Sequence, residues 1–149
     1  MARSLIGGLI DDGIKPQFIT VGEPDMCRRE ELTNNFRVIT LADNVAAVNE
    51  SDIVIFSVKP QVMKRAVLGL AKPLAKKKPL LISIAAGIRI ANLESWIDSD
   101  LPIVRAMPNT PALINAGITA LCANSRVLPE QRDHAEVILR AVGKIIWFE

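Results

Sequence analysis

The sequence predicts an α/β protein built on a doubly wound, mainly parallel sheet, and three observations carry that prediction. Short apolar, β-branched runs alternate with segments of helical periodicity, the pattern of a parallel sheet joined by crossover helices. The run Asp52 to Val58, reading DIVIFSV, is apolar on both faces, as a strand buried between two helical layers must be. Three of the apolar runs end in loops of small or polar residues, at the sheet edge where such folds take ligands.

Taken in order, Met1 to Asp12 reads as a helix, with Leu5, Leu9 and Ile10 on one side and Gly13 where helices stop. Phe18 to Gly22 follows as a short apolar strand. Asp25 can cap a helix running to about Asn34, with Arg28 and Arg29 in its first turn, and Val38 and Ile39 form the next short strand. Asp52 to Val58 is the strongest strand and is expected in the middle of the sheet. Pro60 is suited to a helix start, and Val62 or Met63, Val67, Leu70 and Leu74 continue at helical spacing. Leu80 to Ile84 (LLISI) is a buried strand, followed by Ala85, Ala86 and Gly87 and a helix around Asn92 to Ile97. Ile103 to Met107 and Gly117 to Cys122 are further strands. Pro129 to Val142 is an amphipathic helix with Ala135, Ile138, Leu139 and Val142 on its apolar side, and Ile145 to Phe148 closes as a strand. No internal repeat, low-complexity tract or interdomain linker interrupts the pattern.

Composition narrows the class. A chain of 149 residues suits one domain, which buries roughly 70% of its unfolded surface. With 50% hydrophobic and 23% charged residues it has the balance of an ordinary globular protein. The net charge is +2, and the densest basic run, Lys76 to Lys78, is far short of a nucleic-acid footprint. Cys27 and Cys122 have no CxxC spacing and no neighbouring histidine, which argues against a disulfide framework or metal site and fits a reducing cytoplasm. No apolar run approaches the roughly 18 residues needed to cross a bilayer. The first dozen residues end in Asp11 and Asp12 rather than at a small-residue cleavage site, so they are expected to belong to the fold.

One feature of the pattern is anomalous. A doubly wound nucleotide-binding fold opens with a strand and a glycine-rich turn, whereas this sequence opens in what reads as the first helix. In the strand order 3-2-1-4-5-6 that first strand is interior, so two neighbours would lose ladder partners. Unsatisfied buried backbone groups cost about 1–3 kcal/mol each, and several would rival a domain's stability. The fold class is therefore read as Rossmann-like and truncated at its N-terminus, with the residues forming part of a longer folded chain or with another element filling the gap.

The chemistry lies in three loops: Ser57-Val58-Lys59-Pro60, Ala85-Ala86-Gly87 and Met107-Pro108-Asn109-Thr110-Pro111. Small residues let a flat ligand approach the backbone, Lys59 supplies a charge, and Asn109 and Thr110 supply hydrogen bonds. Taken singly, each loop also reads as a tight or rigid turn. Together, SVKPQ, ISIAAGI and VRAMPNTPALINAG, in that order and spacing, resemble the pyrroline-5-carboxylate reductase family, and the opening MARSLIGGLIDDG resembles that family's first helix just after its glycine loop. The resemblance covers the whole chain.

The resemblance implies a reductase that transfers a hydride from NAD(P)H to the C=N bond of 1-pyrroline-5-carboxylate, giving L-proline. It implies cofactor contacts at Ser57, Val58, Lys59 and Pro60, beside the nicotinamide end at Ala85, Ala86 and Gly87, and near the adenosine portion at Asn44, which alone reads equally as a helix cap. Asn109 and Thr110 are expected to face the substrate cleft. The end of the second strand decides between NAD and NADP. Here Glu23 would repel a 2′-phosphate, while Arg28 or Arg29 could clamp it; the family habit favours NADP, with NAD possible.

No triad, paired acids or metal cluster is visible, and no catalytic side chain or metal ligand is expected from these residues. A protonated cyclic imine is already electrophilic and the cofactor supplies the hydride. His134, Trp96 and Trp147 read as structural. The family has a second, all-helical domain that forms the homo-oligomer and contacts the substrate. Residues 1–149 are expected to be an incomplete dinucleotide-binding domain without it, neither binding nucleotide tightly nor turning over substrate alone. Neither a nucleic-acid partner nor a membrane is expected, and the location is expected to be cytoplasmic. The competing readings are a related small-acid dehydrogenase of the same architecture and a non-catalytic module that keeps the nucleotide fold.

Overall fold

The structure is a computed structural model and describes residues 1–114 and 116–148. Helix α1 (Ala2–Asp11) leads to β1 (Thr20–Gly22), α2 (Met26–Phe36), β2 (Ile39–Leu41), α3 (Asn44–Asn49), β3 (Ile53–Phe56) and α4 (Pro60–Lys77). Then come β4 (Leu80–Ser83), α5 (Ile90–Ile97), β5 (Ile103–Met107), β6 (Gly117–Ala123), α6 (Pro129–Arg140) and β7 (Gly143–Trp147). The alternation anticipated from the sequence is present.

The strands form two sheets, β1-β2 and β3-β4-β5-β6-β7. Neighbours are parallel except β5 and β6. Among its described residues the β5–β6 connection holds a 3₁₀ turn, Thr110–Ile114, whereas returning a chain to a parallel neighbour takes a dozen or more residues and usually a helix. The break lies between β1 and β3, each of which, among the described residues, is paired on one side. This bears out the expectation that two strands lack ladder partners. It also corrects the expected central place of the Asp52–Val58 run. β3 is an edge of the five-stranded sheet, and Ile53, Val54 and Ile55 are only half-buried, while every residue of β4 is buried. Its apolar character suits two neighbours; among the described residues it has one.

Helix α1 spans the break. Leu5 and Leu9 cluster with Ala112, Ala141 and Val142, against which Ile55 of β3 packs, while Ile6 clusters with Leu32 and Val38, against which Val21 of β1 packs. The five-stranded sheet buries one face under α4 and α5, through Met63, Val67, Leu74, Leu81, Leu93 and Ile103. Its other face lies under α6, through Ile82, Val104, Leu121, Ala135 and Leu139. Successive residues of a strand point to opposite faces, which is why Leu81 and Ile82 serve different cores.

Element ends differ from the sequence reading for local reasons. Pro16–Phe18 form a 3₁₀ turn, leaving Phe18 exposed and shortening β1. Helix α5 begins at Ile90 because the Asn92 side chain accepts a hydrogen bond from the Arg89 N–H at 3.0 Å. Helix α3 went unread: it has six residues, too few for a periodic pattern, and Asp43 caps it by accepting from the Val45 N–H at 2.8 Å.

Candidate functional site

Strand register lines up the three loops. Phe56 of β3 is opposite Ser83 of β4, and Ser83 is opposite Arg105 of β5. The ladder continues one step further, with the Ile84 N–H donating to the Phe56 carbonyl at 3.2 Å. The loops carrying residues 57–60, 85–88 and 107–111 therefore leave one edge of the sheet, at the carboxyl ends of parallel strands.

Ser57 and Pro60 are half-buried, whereas Val58 and Lys59 are exposed. Lys59 has an extended backbone just before α4, and Pro60 occupies the first turn of that helix, where its lack of an N–H costs nothing. In the second loop Ala85 is buried and Ala86 and Gly87 are exposed. Gly87 has φ +75°, and no neighbouring atom lies within 4 Å of where a Cβ would sit. Backbone conformation, not crowding, calls for glycine there, and the space above it stays open to a flat ligand. In the third loop Asn109 and Thr110 are both exposed. The Asn109 Oδ1 accepts from the Ile118 N–H at 2.9 Å, so this side chain also ties the loop to β6. Asn115, within the third motif, lies outside the described residues.

Glu23 and Asn44 gather at the other sheet. The Glu23 N–H donates to the Leu41 carbonyl at 2.9 Å, extending the β1–β2 ladder, and a Cβ on Gly22 would collide with the Asn44 Oδ1. Gly22 thus lets Asn44 lie against the end of β1. Asp43 takes the capping role, which leaves the Asn44 side chain uncommitted to it.

The charged loop after β1 resolves into distinct parts. Arg29 Nη1 donates to the carbonyls of Glu23 at 2.8 Å and Pro24 at 2.7 Å, holding the loop's shape. The Glu23 carboxylate is turned back on its own chain, accepting from the Asp25 N–H at 3.0 Å and lying 3.9 Å from Arg28 Nη1. The Arg28 side chain is 70% exposed. Of the two arginines, Arg28 is the one whose guanidinium is not committed to backbone carbonyls.

Of the side chains read as structural, the two tryptophans are engaged in packing and hydrogen bonding. Trp147 donates from Nε1 to Glu136 at 2.6 Å with the Arg132 guanidinium 3.9 Å from its ring centre, and Trp96 packs on the α4–α5 core. His134 is exposed. Among the described residues no group of three or more His, Cys, Asp or Glu side chains could hold a metal ion. Two shallow clefts, one lined by Glu94, Asp100 and Arg126 and the other by Asn124, Arg132 and Trp147, lie at the opposite end of the strands. The candidate site is thus an open edge, not a closed cavity.

Residues 1–87 match the family model described as NADP oxidoreductase coenzyme F420-dependent. The chain belongs to this family. Among members of the NADP oxidoreductase class, its resemblance to pyrroline-5-carboxylate reductases is borne out. It is 42% identical over 149 residues to that reductase from Pseudomonas aeruginosa, covering all of this chain and 54% of the relative. A solved pyrroline-5-carboxylate reductase from Coxiella burnetii superposes with a TM-score of 0.96 at 37% identity, over 99% of this chain and 55% of that one. The Plasmodium falciparum structure, with NADP bound, gives 0.85 at 26% identity, over 99% and 53%. The chain spans about half the length of the relatives it matches.

Proposed function

We propose that the chain is the nucleotide-binding half of an NADPH-dependent pyrroline-5-carboxylate reductase, catalysing the last step of proline biosynthesis in the cytoplasm. The observation that carries this reading is the alignment of the Ser57–Pro60 and Ala85–Gly87 loops along one sheet edge, in a chain 42% identical to such a reductase. Ser57, Val58, Lys59 and Pro60 lie along the nucleotide, with Lys59 placed to meet phosphate charge. Ala85, Ala86 and Gly87 support the nicotinamide end, and the open space at Gly87 fits a flat ring. When bound, the cofactor supplies a hydride to the carbon of a protonated C=N bond, giving the ring amine. The protein's part is to align the two and exclude water. Asn109 and Thr110 edge the substrate cleft, which a second, helical and oligomer-forming half completes.

Asn44 and the Glu23–Arg29 loop take the adenosine end. Arg28, 70% exposed and paired with the Glu23 carboxylate only at 3.9 Å, is the residue that favours the 2′-phosphate of NADP as its partner. A hydrogen bond to a charged group contributes about 1.5–3 kcal/mol. Arg28→Ala is therefore expected to weaken NADPH binding by about 10- to 100-fold while leaving NADH binding nearly unchanged, as fluorescence titration with each nucleotide will show. Arg29→Ala should weaken both together, because it loosens the loop.

The whole activity is tested by replacing the matching stretch of the Pseudomonas aeruginosa reductase with these 149 residues. The chimera is expected to oxidise NADPH with 1-pyrroline-5-carboxylate and to form proline. A folded chimera that binds NADPH without forming proline would favour the related-dehydrogenase reading; one that binds no nucleotide would favour the non-catalytic module.

A further inference from the structure

We propose that Arg105 and Ser83 are positioning residues that together fix the Ala85–Ile88 loop; the purpose assigned to that loop rests on the reading above. Ser83 and Arg105 are direct partners in the β4–β5 ladder, so their side chains leave the same face, the one shared by Leu81 and Ile103. They grip the two ends of the loop. The Ser83 Oγ accepts from the Ala85 N–H at 3.4 Å, and Arg105 Nε donates to the Ile88 carbonyl at 2.9 Å. Between these two ties lie exposed Ala86 and Gly87, the latter with φ +75°. Among the described residues these are the two hydrogen bonds from residues 85–88 to the strands.

A role in stability does not account for this arrangement. Ser83 is fully buried, in the midst of apolar side chains, with one long hydrogen bond. Arg105 is half-buried and, among the described residues, has no carboxylate partner. Burying such groups for one hydrogen bond each costs about as much as it returns. What the pair achieves is placement. The guanidinium is a rigid planar donor on a strand, so it fixes where the Ile88 carbonyl sits, and with Ser83 it sets the height of the Gly87 backbone above the sheet. A loop that supports a hydride donor must hold it within a fraction of an ångström.

The test compares Arg105→Gln, Arg105→Lys and Ser83→Ala. In the 149-residue chain, amide exchange at Ala85, the loop amide that donates to Ser83 Oγ, is measured against that of β4 and β5. Arg105→Gln is expected to speed loop exchange about tenfold, the loss of one charge-assisted hydrogen bond, with the Leu81 and Ile82 amides unchanged. In the chimera it should lower kcat more than it raises KM for the imine. Arg105→Lys keeps the charge but not the fixed donor and should behave like the glutamine variant; Ser83→Ala should shift the same readouts by a smaller factor and carries the test if Arg105→Gln does not fold. Unchanged loop exchange, or exchange equally faster throughout β4 and β5, overturns the proposal. Faster loop exchange in a chimera whose parent makes no proline would leave the pinned loop standing and overturn the reductase reading instead.

Discussion

Replacing Gly143 with alanine is expected to cost about 4 kcal/mol or more and leave little cooperatively folded protein. Gly143 starts β7 at φ +136°, a conformation open in practice to glycine alone. It also faces Gly117 in the β6–β7 ladder, and a Cβ there would be driven into the Gly117 backbone. Backbone cannot swing aside as a side chain can. The strands would have to part where the Gly117 N–H donates to the Val142 carbonyl at 3.1 Å. Urea unfolding followed by circular dichroism reads the loss. Gly69→Ala is the matched control: it lies inside α4 with nothing within 4 Å of its Cβ position, and should gain about 0.5–1 kcal/mol. A Gly143→Ala variant with wild-type stability would show that the β6–β7 approach is wrong.

Leu81→Ala is expected to cost about 3–5 kcal/mol, the range for truncating a leucine in a site that cannot collapse. Leu81 is fully buried in the middle of β4, in one core with Met63, Val67, Leu93 and Ile103. Helices on one side and the sheet on the other hold the hole open. Because Leu81 shares a face with Ser83 two residues on, the damage should reach the Ala85–Ile88 loop. Thermal unfolding gives the stability loss. Lys77, by contrast, pairs with a 94% exposed Asp52 carboxylate, and Lys77→Ala should change stability by less than about 0.5 kcal/mol.

What the sequence discloses depends on the range of the interaction. The runs at Leu80–Ile84 and Ile103–Met107 were legible because short apolar runs between turn signals mark buried strands without reference to anything distant. Strand direction was not: Gly117–Ala123 is as apolar as a parallel strand, and only the short connection before it makes it antiparallel to β5. The central place expected for Asp52–Val58 followed from its composition and failed because position in a sheet is a property of neighbours.

The candidate site divides in the same way. The Ser57–Pro60 and Ala85–Gly87 loops stood out through small residues after strong strands and through the family motifs. The roles of the two arginines after β1 could not be separated in one dimension; the carbonyls of Glu23 and Pro24 separate them by engaging Arg29. Asn109 was read for its exposed amide, and its bond to Ile118 adds a fold-holding role that depends on where β6 begins. Ser83 and Arg105 lie within the motifs ISIAAGI and VRAMPNTPALINAG, but nothing in the sequence relates them to each other, because what does is the β4–β5 register.

The central claim is that the loops after β3 and β4, with Asn44 and the loop after β1, form one nucleotide-binding edge. It is tested most directly by titrating the isotope-labelled chain with NADPH to millimolar concentration and following every backbone amide by NMR. The account predicts shifts confined to residues 22–29, 44–45, 57–60 and 85–88, with α6 and the clefts near Arg126 and Trp147 unmoved. Shifts centred on those clefts, or none at any concentration, would contradict it.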